Sequence, residues 1–145
     1  WQLSLEHNDA WMWKWLFPDN EDGVLNPSFM MAEDVDQISR GFWFEFGLSH
    51  TFDVAENLTL TPGVTFGVDH NYFNDAANTT RLAQLLYGLE IGYDLGALMP
   101  ETPILKDTAL TGYLNFSDAV GKPAEEGVIR DEFYGGIAIS WTPSF

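Results

Sequence analysis

Residues 42–52 alternate without exception: Phe42, Phe44, Phe46, Leu48, His50 and Phe52 fall on one parity, Trp43, Glu45, Gly47, Ser49 and Thr51 on the other. A period of two belongs to an extended chain, in which successive side chains point to opposite faces of a sheet. The pattern recurs. WQLSLEHN opens the chain; 40–53 leads through VAE to NLTLTPGVTFGVD at 57–69; 81–95 sets Leu85, Tyr87, Leu89, Ile91, Tyr93 and Leu95 on one parity; 106–118 and RDEFYGGIAISWTPSF follow. HNYFNDAANTT is a loop by composition, and GALMPETPIL and AVGKPAEEGV are read as connections. Only MMAEDVDQISR, at 30–40, has a helical reading, and it is expected to be a turn or two inside an 18–39 loop. The chain is therefore expected to be one all-β domain over 1–145, an antiparallel meander with about six visible strands. Two short strands within 1–17 around HND would raise the count to about seven.

The environment of the apolar parity decides the class of protein. In a soluble sandwich the opposite parity meets water and gathers Lys, Glu and Arg. Here it is mostly Gly, Thr, Ser, Asn and Gln, with Glu45, Glu90 and Asp94 its main charges and no Lys inside the strands. Small, uncharged polar residues suit the enclosed side of a barrel, and Phe, Leu and Ile with aromatic ends suit an outward lipid band. The alternating segments also exceed a globular strand and approach the roughly 9 to 11 residues that a tilted membrane strand needs. No apolar run is long enough for a membrane helix, so a span can only be a strand of a barrel.

Composition removes other classes. The 46% hydrophobic and 15% aromatic content excludes a disordered chain, and 22 Asp and Glu against 6 Lys and Arg leave a net charge of -16. Nucleic acid is excluded as a partner, because phosphate neutralisation needs a basic surface. Without cysteine there is no disulfide, thiol nucleophile or Cys-based zinc site.

The closing residues GGIAISWTPSF, with Ile137, Ile139, Trp141 and Phe145 on one parity, resemble the terminal strand of Gram-negative outer-membrane β-barrel proteins. Pro143 departs from that pattern. The resemblance implies an outer-membrane location, lipid and lipopolysaccharide as surroundings, and recognition of Ile137, Ile139, Trp141 and Phe145 by the barrel assembly machinery. It also implies a periplasmic C-terminus, which places 54–56 and 96–105 inside and 18–39, 70–80 and 119–130 outside. Six strands fall short of the minimum of 8 for such barrels. The chain is accordingly expected to be the C-terminal portion of a larger barrel; completion by partner subunits or homo-oligomerisation, or strands missed in 18–39, are the other routes. A soluble barrel binding an apolar ligand is the competing architecture, since Gly41-Phe42-Trp43 matches the G-x-W of lipocalins.

Candidate functional positions follow from parity. Glu45, Ser49, Thr61, Thr65, Gln84, Glu90 and Asn115 are expected to line the lumen of a porin-like channel, with Glu45 and Glu90 favouring cations. A non-conducting scaffold barrel is the alternative. Arg40, Arg81 and Arg130 each begin a strand at the expected outer rim; Arg40 and Arg81 have outward parity, suited to lipopolysaccharide phosphates. Asp19, Glu21 and Asp22 in PDNEDG form a partial calcium site by composition, although the closing Glu of an EF-hand is missing. Trp11, Trp13 and Trp15 read as an interfacial girdle. No cofactor is implied. No catalytic set can be assembled, because Ser49 and His50 are adjacent in a strand and point to opposite faces.

Overall fold

The computed structural model describes residues 1–19, 21, 23–33, 41–72, 80–97, 102, 108–125 and 127–141. Strands β1 (Gln2–Glu6), β2 (Ser28–Glu33), β3 (Phe42–Ser49), β4 (Phe52–Ala55), β5 (Leu58–His70), β6 (Thr80–Asp94), β7 (Thr108–Ala119) and β8 (Glu132–Trp141) form one antiparallel sheet. Neighbours follow chain order, β1-β2-β3-β5-β6-β7-β8, with β4 also on β5, and the sheet is curled into a half-barrel. Two short helices, α1 (Ala10–Trp13) and α2 (Gly121–Glu125), sit in connections. The all-β meander expected from the alternation is the fold observed.

β3 and β4 are one strand interrupted at His50–Thr51, and the reason lies across the ladder. Ser49 pairs with Gly63 and Phe52 with Leu60, so the break faces Thr61 and Pro62. A proline has no N–H to give to a ladder. The gap is bridged instead by His50 N donating to the Pro62 carbonyl at 3.1 Å and by a Thr51–Thr61 hydroxyl pair at 2.9 Å. Beyond β4, Asn57 turns the chain at φ 70, a left-handed conformation that asparagine tolerates.

β2 corrects the helical reading of residues 30–33. Phe29 and Met31 face one side and Met30 and Ala32 the other, so apolar residues on both parities erase the period of two. Met, Ala and Glu are also good helix formers. Pairing with β1 on one side and β3 on the other imposes the strand. The segment around HND is corrected too: it yields β1 and then α1, not two strands.

The extra strand also changes which connections share an end. Ser49 N donates to the Leu25 carbonyl at 2.9 Å, so the β1–β2 connection packs at the end of the sheet that carries the Asn57 turn. The described residues of the β1–β2 connection therefore lie opposite the end to which the sequence assigned 18–39, away from the β7–β8 connection with α2. β5, β6, β7 and β8 contain 13, 15, 12 and 10 residues, whereas β1 and β2 contain 5 and 6, so the sheet tapers toward β1.

One register shift re-aims a functional group. Gly67 pairs with Gln84 but Val68 pairs with Leu82, which leaves Ala83 as an extra residue, fully buried. A bulge of one residue exchanges the faces of everything beyond it. Arg81 consequently turns to the face of Asp69, and its Nε lies 2.9 Å from Asp69 Oδ2. Asp69 is fully buried and also accepts a hydrogen bond from the Tyr72 N–H at 2.7 Å. Removing the guanidinium takes the ion-pair partner from a buried carboxylate, so Arg81→Leu is expected to lower unfolding stability by about 3–5 kcal/mol, measured by urea titration. A loss under about 1 kcal/mol, the size of an exposed pair, would contradict the buried geometry.

Candidate functional site

The two faces of the sheet differ in kind. Phe46, Leu48, Phe66, Ile91, Leu114 and Phe116 are exposed on one, and on β8 Phe133, Ile137 and Ile139 are 71%, 79% and 72% exposed. Among the described residues the buried apolar side chains are few: Ala10, Trp43, Ala83 and Pro123. The opposite face carries the depressions. One of about 310 Å³ is lined by Ser49, Thr61, Gly63, Glu90, Tyr113 and Asn115, and an adjoining one of about 230 Å³ shares Ser49, Gly63, Gly88 and Asn115. A third, about 210 Å³, brings Glu45 and Thr65 beside Ser4, Glu6 and Ser28. The polar parity is thus the concave side of the curl.

All seven positions assigned to a lumen fall on this concave face. Ser49, Thr61, Glu90 and Asn115 line one depression and Glu45 and Thr65 another. Gln84 Nε2 donates to Ser117 Oγ at 2.5 Å. Glu6, Ser28 and Tyr113 join them. Glu6 was legible in its parity with Ser4, whereas Ser28 was hidden because its strand was not expected. The concave side is acidic: Glu6, Glu45, Glu90 and Glu132 share it, and Arg81, engaged with Asp69, is the one cation among its described residues.

Short side chains on this face let neighbours lean across it. The Trp43 indole lies over Gly67, where a Cβ would collide with the ring, and its Nε1 donates to Glu45 Oε1 at 2.8 Å. Trp43 therefore holds the Glu45 carboxylate against the wall. This arrangement also gives the G-x-W residues a role, since Gly41 packs beneath the Asn71–Tyr72 backbone. Gly67→Val is expected to displace the indole and expose Trp43, read as a red-shifted fluorescence component absent from a Trp43→Phe background.

One other expectation changes, and two more are covered only in part by the described residues. Arg81 is not an outward lipopolysaccharide contact, because the Ala83 bulge turns it to Asp69; Arg40 lies outside the described residues, and Arg130 is exposed just before β8. Asp19 and Glu21 are exposed, Asp22 lies outside the described residues, and no group of three His, Asp or Glu able to hold a metal ion occurs among the described residues. Of the terminal motif, Ile137, Ile139 and Trp141 stand on the convex face, and Phe145 lies outside the described residues. Ser49 lines the concave side, while His50 meets Phe52 edge-on at 4.3 Å.

At the end of the sheet that holds α1, Asp9 organises the β1–β2 connection. Its Oδ1 accepts from the N–H groups of Val24 (2.6 Å), Leu25 (3.1 Å) and Asn26 (3.3 Å), and its Oδ2 accepts from Trp13 Nε1 at 2.7 Å. Burial alone raises the carboxyl pKa, but the hydrogen bonds from Val24, Trp13, Leu25 and Asn26 outweigh it and hold Asp9 below its ordinary value. A carboxylate lowered by folding stabilises above its unfolded pKa, and that contribution fades as pH falls through the folded value. Asp9→Asn is expected to lower the denaturation midpoint at pH 7, with the gap to the parent narrowing below about pH 4. A gap independent of pH would contradict it. Trp11 Nε1 donates to His7 Nε2 at 2.9 Å, so the His7 and Asp9 side chains are both engaged within the connection.

Comparison with protein-family models, with characterised proteins and with solved structures gives no match.

Proposed function

We propose that this chain is wall of a Gram-negative outer-membrane β-barrel, a porin-like channel for small solutes or ions with a weak preference for cations. The observation that carries this reading is the inversion of faces: apolar side chains cover the exposed convex side, and mainly polar and small ones, with Leu86, Met30 and Tyr113 among them, line the concave side. A water-soluble barrel that carries an apolar ligand needs the reverse, a dry interior and a wetted exterior. An exposed apolar surface of this extent calls for lipid or a partner. No helix among the described residues is long and apolar enough to cross a membrane, which leaves strands to do so. The GGIAISWTPSF resemblance adds an address, the outer membrane, and lipid, lipopolysaccharide and the assembly machinery as partners. Ion preference follows from the concave carboxylates, because a ring of acidic side chains favours cations at close range.

Two measurements test this. Purified protein is expected to require detergent and to migrate differently on gels before and after boiling; a monodisperse, detergent-free solution would refute membrane residence. In a planar bilayer under a KCl gradient, the reversal potential is expected to have the cation-selective sign and to move toward zero in Glu45→Gln/Glu90→Gln. Heat-modifiable protein that inserts without conductance would make the chain a scaffold and not a channel.

A further inference from the structure

The two free edges of the sheet point in the same direction, and this restricts what can complete it. Among the described residues seven ribbons lie side by side from β1 to β8, β3 and β4 counting as one, and each runs antiparallel to the next. An odd number of alternating strands begins and ends in the same sense, so β1 and β8 are parallel to one another. Neither can close on the other within an antiparallel ladder. A second copy related by rotation about the barrel axis fails for the same reason, since it sets β8 beside a parallel β1. A copy turned end for end would pair like edges antiparallel, but it reverses orientation across a membrane into which chains insert with one polarity.

We infer that the gap is filled by an odd number of amphipathic strands from outside the described residues, with an antiparallel strand docked on β8. This inference rests on the barrel reading proposed above, in which no edge can remain open to hydrocarbon. An odd addition also gives the even total that outer-membrane barrels have. The β8 edge is equipped for such a partner. Glu132–Trp141 offers ten residues without the Lys or Pro that blunt a permanent edge, and Glu132 is its only charge. Pairing would continue its alternation: apolar residues in phase with Phe133, Ile137 and Ile139 on the convex side, short or polar ones in phase with Gly136, Ala138 and Ser140 on the concave side. The partner is thus an amphipathic strand that adds its backbone to an edge.

The absence of native cysteine makes the test direct. The probe is a synthetic peptide with the β7 sequence, TALTGYLNFSDA, which already pairs antiparallel with the other side of β8, carrying cysteine in place of Thr111. Mixed with Ala138→Cys protein in detergent under mild oxidation, it is expected to form a peptide–protein disulfide. A control peptide with apolar and polar positions exchanged is expected to react roughly tenfold less, because its faces are out of phase. Equal reaction of both peptides, or of neither, overturns the inference. So does a dominant protein–protein disulfide in Ala138→Cys alone, or one joining β1 to β8 in Ser4→Cys/Ala138→Cys. Heat-modifiable mobility of the same samples reports the barrel reading separately. Loss of that property with peptide capture intact would sink the membrane assignment, and capture failing on heat-modifiable protein would sink the edge assignment.

Discussion

The architecture depends on a sheet that has no dry interior. Hydrophobic burial normally supplies most of the favourable free energy of folding. Here the apolar parity is turned outward and the buried apolar side chains among the described residues reduce to Ala10, Trp43, Ala83 and Pro123. In water such a sheet would leave its main source of stability unused. In hydrocarbon the same surface is at no disadvantage, and the backbone ladder becomes the dominant constraint, since each unpaired N–H or C=O in lipid costs several kcal/mol. Hydrogen bonds are kept even at the irregular points of this sheet. The Pro62 interruption is bridged by His50 and by the Thr51–Thr61 pair, and the Ala83 carbonyl left by the bulge accepts from Val120 N at 2.8 Å.

The irregularities also place chemistry. Without the Ala83 bulge, Arg81 would stand on the convex face, away from Asp69. With it, Arg81 meets Asp69, and the pair closes one end of the concave wall beside Tyr72. The glycine at 67 plays a complementary part. It leaves room for the Trp43 indole to lie flat against the wall and hand its N–H to Glu45. One bulge and one glycine thus fix the positions of a cation and a carboxylate on the concave face.

How much of this the sequence discloses depends on whether alternation is clean. β3, β5, β6, β7 and β8 alternate strictly enough to be read directly, and their concave residues follow by parity alone. β2 does not, because Met30 and Met31 place apolar groups on both faces and favour helix locally; only its two neighbours make it a strand. Missing it reverses the assigned end for the β1–β2 connection. Arg81 fails for a different reason. Parity counted from Leu85 is correct until Ala83, and nothing in RLAQLL marks the extra residue. Asp9 is similarly invisible: its partners Val24, Leu25 and Asn26 lie across a connection, and no local spacing announces a carboxylate that accepts from three consecutive N–H groups.

The concave carboxylates bear on how wide the completed structure is. No ion pair to Glu45 or Glu90 occurs among the described residues, and Glu45 has the Trp43 N–H as a neutral donor. A barrel closed by a single further strand would have eight, a size whose interior side chains fill the space between opposite walls. Carboxylates packed into such an interior require cationic partners, because an unpaired ion there costs several kcal/mol. Arg81 is the only described cation available on this face, and Asp69 engages it. A strand that closes eight would therefore have to bring Lys or Arg opposite Glu45 and Glu90. A wider barrel, closed by three or more strands, needs no such compensation, since water solvates the carboxylates. The sequence of the closing strands thus distinguishes a filled barrel from a channel: basic residues at concave positions indicate the first, and continued Gly, Ser and Thr the second.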